Sequence, residues 1–264
     1  FDAEWYAENG RLAEVDADLR ALAGQLSLPL VFEANDRNDV PRIARITQEH
    51  RLTPIVKGAG DEYARLGDVL ASGPPLIVPL NLPDAYDVED PFAALEVSLA
   101  KLKHWELAPT IAARIAEAGG TFCFTLHGLK EPGTMWEALR HMVRCGLDST
   151  VAIAALTTVP AKLFHLDDRL GALRPGLLAN LIIRSHHLLD ARNTVHETWV
   201  AGRRFTQKEV PLEDPRGSFD LNLRSSILRL TVKGDATSPE AVVSRPGDTT
   251  VTVPATILIA RSTV

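Results

Sequence analysis

The sequence predicts an α/β fold in which parallel β-α-β units fill the first half of the chain and β-rich segments follow. Three observations carry this reading. Short apolar runs alternate with amphipathic helical patterns from Leu12 to Leu126. From Leu170 the helical patterns give way to two turn signals and a hairpin pattern. Beyond a linker-like stretch, Glu213–Gly217, short runs of alternating polarity recur to the C-terminus.

The elements follow in order. Leu12, Val15, Leu19, Leu22 and Leu26 recur at helical spacing, so residues 11–26 read as a helix. Leu28–Ala34 (LPLVFEA) reads as a buried strand, and Asn35 and Asp36 can cap the helix that ends near His50. Thr53–Val56 is a second strand. Gly58–Gly60 form a turn, and Asp61 can cap a helix through Leu70. Pro75–Pro79 (PLIVP) is a third strand, followed by an irregular stretch holding Asp84, Asp87, Glu89 and Asp90. Helical pattern resumes at Phe92, and a further helix, Leu107–Ala118, closes at Gly119-Gly120. Thr121–Leu126 (TFCFTL) is a fourth strand. Helices follow at Thr134–Cys145, Asp148–Leu156 and Val159–Leu166. Strands then come at Ala179–Arg184, Thr194–Val200 and Arg203–Phe205, with Ala201-Gly202 as the hairpin turn between the last two. FDLNL, ILRLTV, TTVTV and TILIA make a small antiparallel module, with turns at Gly234-Asp235 and Pro246-Gly247-Asp248.

Parallel units of this kind pack helices on both faces of an open sheet or around a barrel. A closed barrel needs eight strands, typically about 250 residues. Four are visible, so the chain reads as half a barrel, completed upstream or by another chain. Phe1 falls inside a helical pattern and the last residues end on a strand pattern, so the sequence reads as a piece of a longer protein. The expected divisions are 1–168, 169–212 and 213–264.

Composition narrows the function classes. The 264 residues are 45% hydrophobic and 23% charged, with a net charge of −6 and no long run of one sign. That argues against a nucleic-acid groove or an adhesion surface for membranes. No apolar run approaches the roughly 20 residues of a membrane span. Cys123 and Cys145 are too few for a disulfide framework and read as reduced, mostly buried thiols. No signal-peptide pattern opens the sequence, and the compartment is left open.

Residues 155–205 carry a resemblance. Ala155-Leu156-Thr157-Thr158-Val159-Pro160-Ala161-Lys162-Leu163, then Leu170-Gly171-Ala172-Leu173-Arg174-Pro175-Gly176, then Ala179-Asn180-Leu181-Ile182-Ile183, resemble the C-terminal signature of the amidohydrolase superfamily. Thr198–Phe205 resembles its closing hairpin. Upstream, VFEAND, TPIVKGAGDEY and LAPTIAARIAEAGGTFCFTLHG resemble barrel strands five, six and eight of the imidazolonepropionase-like branch. The resemblance implies a partial (β/α) TIM-like barrel with a small β-sandwich segment, to which the C-terminal antiparallel β module is added. It also implies hydrolysis of C–N bonds in a small amide or cyclic amide by metal-activated water. Zinc or another divalent metal is expected in the full-length protein, with none in this chain as the alternative. The partners expected are an amide-like small molecule and further copies of the chain.

In that family, strands five and six each end in a metal-binding His and strand eight in an Asp. Here Glu33, Lys57 and His127 stand at those places, with Asn35 just beyond Glu33. Glu33 and His127 are the candidate metal ligands; His127 and Lys57 are the candidate catalytic residues. Glu33 and Lys57 project from neighbouring strand ends, so an ion pair competes with ligation, and an ammonium repels a divalent cation beside it. A site with these three residues cannot be the usual binuclear one. A catalytically degenerate barrel with a binding or scaffold role is therefore the second reading, and a lyase or isomerase using the Lys57 amine a third. His104-Trp105-Glu106 precedes the last barrel helix, and Trp105 reads as a packing anchor. The acidic residues 84–90 read as a solvated turn, because a calcium loop's glycine and terminal glutamate are missing. His186 and His187 read as solvated. His50, His141, His165 and His196 show no ligand spacing.

Overall fold

A computed structural model describes residues 5, 8, 17–89, 91–208, 216–223, 226–235, 238–245 and 248–255. Four short strands form its parallel sheet: β1 Leu30–Glu33, β2 Pro54–Lys57, β3 Leu76–Pro79 and β4 Phe122–Thr125. Their order in the sheet is their order in the chain. Register is direct: Glu33 pairs with Lys57, Lys57 with Ile77, and Pro79 with Thr125. Sequential parallel order is one sector of a β/α barrel. Right-handed crossovers then place the connecting helices on one face of the sheet.

The core shows which face that is. Val56, Leu76, Val78 and Phe122 pack with Val40 of α2 (Asp39–Glu49), Val69 of α3 (Leu66–Ala71), and Ile111 and Ile115 of α6 (Ile111–Glu117). Leu139 and Met142 of α7 (Met135–Arg144) and Ala152 and Ala155 of α8 (Ser149–Leu156) complete this cluster. The remaining helices of this part are α1 (Ala17–Gln25), α4 (Pro91–Glu96), α5 (Leu99–Leu107) and α9 (Thr158–Leu163). Strand residues alternate faces, so Ile55, Ile77 and Cys123 point the other way. They pack against Val159, Leu163 and Phe164, in and just after α9. The inner face is thus apolar near the strand starts, where α9 covers it. Two residues further on, the same face carries Glu33, Lys57, Pro79 and Thr125. Val31, on that face of edge strand β1, is 50% exposed.

The turn after α9 requires glycine at Gly171. Its φ is +91°, and a Cβ there would sit 2.6 Å from that of Ala161 and 2.9 Å from the Thr157 carbonyl oxygen. That close approach is the physical content of the Leu170–Gly176 motif.

The chain divides into two compact units, one of residues 1–181, 186–193 and 199–203, the other of 182–185, 194–198 and 204–264. Strands β5 (Leu181–Arg184), β6 (Val195–Val200) and β7 (Arg203–Thr206) form a three-stranded sheet. The β6–β7 turn has positive φ at both Ala201 and Gly202, the geometry of a type I′ hairpin. Asn180 Oδ1 fixes it by accepting the Ala201 N–H at 2.6 Å.

The C-terminal sheet is antiparallel, in the order β11 (Asp248–Ala255), β10 (Ser238–Arg245), β9 (Ser226–Asp235), β8 (Gly217–Leu223). Two expectations are corrected here. Strand β10 has no counterpart among the expected runs, and it carries Pro239, a residue uncommon inside strands. It stands second in β10, opposite Gly234 of β9. Gly234 and Asp235, expected as a turn, end strand β9. The run TILIA and the part of helix 11–26 before Ala17 lie outside the described residues.

Candidate functional site

The C-terminal ends of β1, β2 and β4 bring the three singled-out residues together. Lys57 Nζ donates to Glu33 Oε1, across the register that pairs these two residues. His127 Nε2 lies 4.0 Å from the same oxygen. His127 is two residues past β4, and its backbone N–H donates to Thr125 Oγ1 at 3.1 Å. The approach of Glu33 and His127 joins β1 and β4, the two edges of this sheet, across the strand ends.

Access differs among the three. The side chains of Glu33 and His127 are more than half exposed, whereas Lys57 is 16% exposed. Lys57 is the inner member, held between neighbouring strands. Its hydrogen bond and charge hold the Glu33 carboxyl below the usual carboxylate range, with a smaller contribution from His127. Asn35 does not join them. Its backbone N–H donates to Asp39 Oδ2 at 3.0 Å, so it serves the start of α2.

These residues do not fit a divalent metal. Structural zinc takes four protein ligands and catalytic zinc three, with donor bonds of about 2.0–2.2 Å, so two donors in one tetrahedron lie about 3.4 Å apart. Glu33 and His127 supply two donors, 4.0 Å apart, and Lys57 already holds the oxygen they would share. No group of three or more His, Cys, Asp or Glu suited to a metal occurs among the described residues. What the arrangement offers is a half-buried cation between a carboxylate and an imidazole, open to solvent on one side.

Around this rim stand residues that the sequence did not single out. The loop after β2 is built on Glu62, 2% exposed, whose carboxylate accepts the N–H of Ala59 at 2.6 Å and of Gly60 at 3.1 Å. Burial pushes its carboxyl above the usual range. A Cβ at Gly58 would lie 2.4 Å from Glu62 Oε1, so a side chain there requires the Glu62 carboxylate to shift. Tyr63 and His104 stack at 5.9 Å and share a hydrogen bond of 3.0 Å between the phenol oxygen and Nδ1. Arg37 donates to Asp61 at 2.6 Å. A cleft of about 610 Å³ opens beside the ends of β3 and β4, between Asn81, Gly128 and Lys130 on the loops and His141 and Arg144 on α7. No spacing in the sequence reveals the Tyr63–His104 and Arg37–Asp61 contacts, because each joins residues from distant segments.

Trp105 is 42% exposed, which corrects its reading as a packing anchor. Asp84, Asp87 and Glu89 are exposed, and Asp90 lies outside the described residues. His187 is exposed, while His196 is buried, its ring Nδ1 3.2 Å from the Lys208 carbonyl oxygen. Cys123 and Cys145 are free thiols.

Residues 111–205 match the family model of the amidohydrolase family. Among solved structures, an amidohydrolase from Thermotoga maritima MSB8 superposes with a TM-score of 0.62 at 20% identity, over 77% of this chain and 51% of that one. A second amidohydrolase gives a TM-score of 0.52 at 19% identity, over 73% and 48%. A prolidase complexed with N-methylphosphonate-L-proline gives 0.51 at 17%, over 72% and 47%. At these identities the likeness is one of fold, and the chain spans about half the length of the structures it matches. No curated protein matches the sequence.

Proposed function

We propose that this chain, a member of the amidohydrolase superfamily through its residues 111–205, forms half of a hydrolase acting on C–N bonds of amides or cyclic amides. The amidohydrolase-family fold points to a hydrolase. The cyclic-amide class follows from the resemblance of residues 31–128 to the imidazolonepropionase-like branch. One observation carries the reading: Glu33, Lys57 and His127 meet at the C-terminal strand ends, the side of such barrels where chemistry is done.

The same observation limits it. The cation in this half-site is Lys57, and it is tied to Glu33. A polarising ammonium and an imidazole can orient an amide carbonyl and a water, but they do not replace a metal-bound hydroxide. The chain alone therefore gives no metal-dependent turnover. Incubation with hydantoin-like and imidazolone-like cyclic amides, with and without zinc or manganese, tests this. Metal-dependent hydrolysis lost in the Glu33→Gln and His127→Ala variants would overturn it.

A second reading is favoured by the closed Glu33–Lys57 pair: a barrel-fold protein whose role is binding, with catalysis lost. Isothermal titration with the same cyclic amides separates the two. Binding weakened at least tenfold by Lys57→Met supports a ligand site at the strand ends. Binding indifferent to all three residues removes the strand ends from either reading.

A further inference from the structure

At the N-terminal ends of the parallel strands, opposite the end that carries Glu33 and Lys57, lies a cleft of about 370 Å³. The segment before β1, the turn after α2 and the end of α9 border it. Leu26, Leu28, Leu30, Ile55 and Leu163 give it apolar walls. Its charged lining is of one sign: Arg51, Lys162 and His165 border it, and among the described residues no carboxylate does. In a chain of net charge −6 that is a local reversal. Among the described residues none of these three side chains has a hydrogen-bond or ion-pair partner.

Two of the three stand where the backbone favours glycine. Arg51 and His165 both have a φ of +55°. Each follows the end of a helix in the same hydrogen-bond pattern. After α2 the Arg51 N–H donates to the Gln48 carbonyl at 3.1 Å and the Leu52 N–H to that of Thr47 at 2.8 Å. After α9 the His165 N–H donates to the Lys162 carbonyl at 3.1 Å and the Leu166 N–H to that of Ala161 at 2.7 Å. This is the Schellman motif, whose left-handed position is ordinarily glycine. One other non-glycine residue among the described ones has a positive φ, Ala201 of the β6–β7 turn. A cation one turn earlier serves the helix dipole without a left-handed backbone, so the dipole does not account for these placements. Both side chains instead border the one cleft, and backbone outliers that converge on a site point to function.

The lining selects the class of ligand. A guanidinium and an ammonium, with an imidazole N–H as a further donor, match a carboxylate or a phosphate. Apolar walls strengthen that attraction by focusing the field. The same walls favour a hydrocarbon body beside the anionic head. The cleft lies near the lower end of the roughly 300–1,000 Å³ of small-molecule sites, which suits one short chain.

We infer that this cleft binds a small molecule with a short apolar body and an anionic head, carboxylate or phosphate, held by Arg51, Lys162 and His165. The site does not depend on the chemistry at Glu33, Lys57 and His127. Isothermal titration of the 264-residue chain with hexanoate and with hexyl phosphate tests it, and the tighter of the two identifies the head. At least one is expected to bind saturably, one per chain, and at least tenfold more tightly than hexanol, hexylammonium or inorganic phosphate. Arg51→Gly and His165→Gly separate a ligand role from a structural one. Each puts glycine at a left-handed position, so each is expected to keep or raise the melting temperature. Binding is expected to weaken at least tenfold in Arg51→Gly, and at least threefold in His165→Gly and in Lys162→Gln. Absence of saturable binding of either anion at millimolar concentration would overturn the inference. So would equally tight binding of hexanol or of inorganic phosphate, or anion binding that all three substitutions leave intact. A melting temperature lowered in both glycine variants would assign the two side chains to their helix ends and overturn it as well.

Discussion

Glu33 offers one carboxylate oxygen to an inner ammonium and an outer imidazole, and that sharing makes predictions residue by residue. Removing the ammonium with Lys57→Met is expected to raise the Glu33 pKa toward 4.5, as followed by NMR titration of its carboxyl carbon. The sign for stability follows from linkage. A carboxyl with a lowered folded pKa contributes stability that is present above its unfolded value and lost as pH falls through the folded value. The acid arm of the stability curve is therefore expected to flatten in Lys57→Met. The opposite holds for Glu62, whose raised folded pKa makes its ionisation oppose folding as pH rises above 4.5. The thiols differ in the same physical terms. Cys123 is 2% exposed and burial pushes its pKa up to about 11, so a thiol reagent at pH 8 is expected to label Cys145 in the native protein and Cys123 only on unfolding. Equal labelling rates would contradict the burial of β4.

Elements rest on packing that point changes can test. Met142 of α7 is fully buried between helices and the sheet, so Met142→Ala is expected to destabilise by about 2–5 kcal/mol in urea unfolding. Gly171→Ala is expected to destabilise by about 1–2 kcal/mol from the left-handed backbone, before the contact with Ala161 is counted. The strands and most helices were legible in the sequence because their periods are clear: LVFE, PIVK, LIVP and FCFT are apolar runs bounded by turn residues. Strand β10 was not legible, because Pro239 lies within it and proline is uncommon inside strands. Trp105 was misread because an aromatic residue on a helix usually anchors it, whereas α5 is held through the neighbouring His104, which stacks on Tyr63 and shares a hydrogen bond with it.

Across the whole molecule, ancestry and chemistry separate. The segment 111–205 that matches the family builds α6–α9, β4 and the β5–β7 sheet. Of the three strand-end residues it holds His127 alone, while Glu33 and Lys57 lie outside it. The meeting of Glu33 with Lys57 was foreseeable from adjacent strand ends. The approach of His127 was not, because it joins opposite edges of the sheet. The strand ends hold an ion pair, Glu33 with Lys57, where proteins of the amidohydrolase family commonly hold a divalent metal. Zinc titration of the chain, read by calorimetry and by metal analysis after dialysis, tests whether that pair excludes the metal. The wild type is expected to retain no stoichiometric zinc at the strand ends, while the double variant Glu33→His, Lys57→His, which adds two imidazoles beside His127, is expected to gain a zinc site. Stoichiometric zinc retained by the wild type and lost in both Glu33→Gln and His127→Ala would contradict the claim.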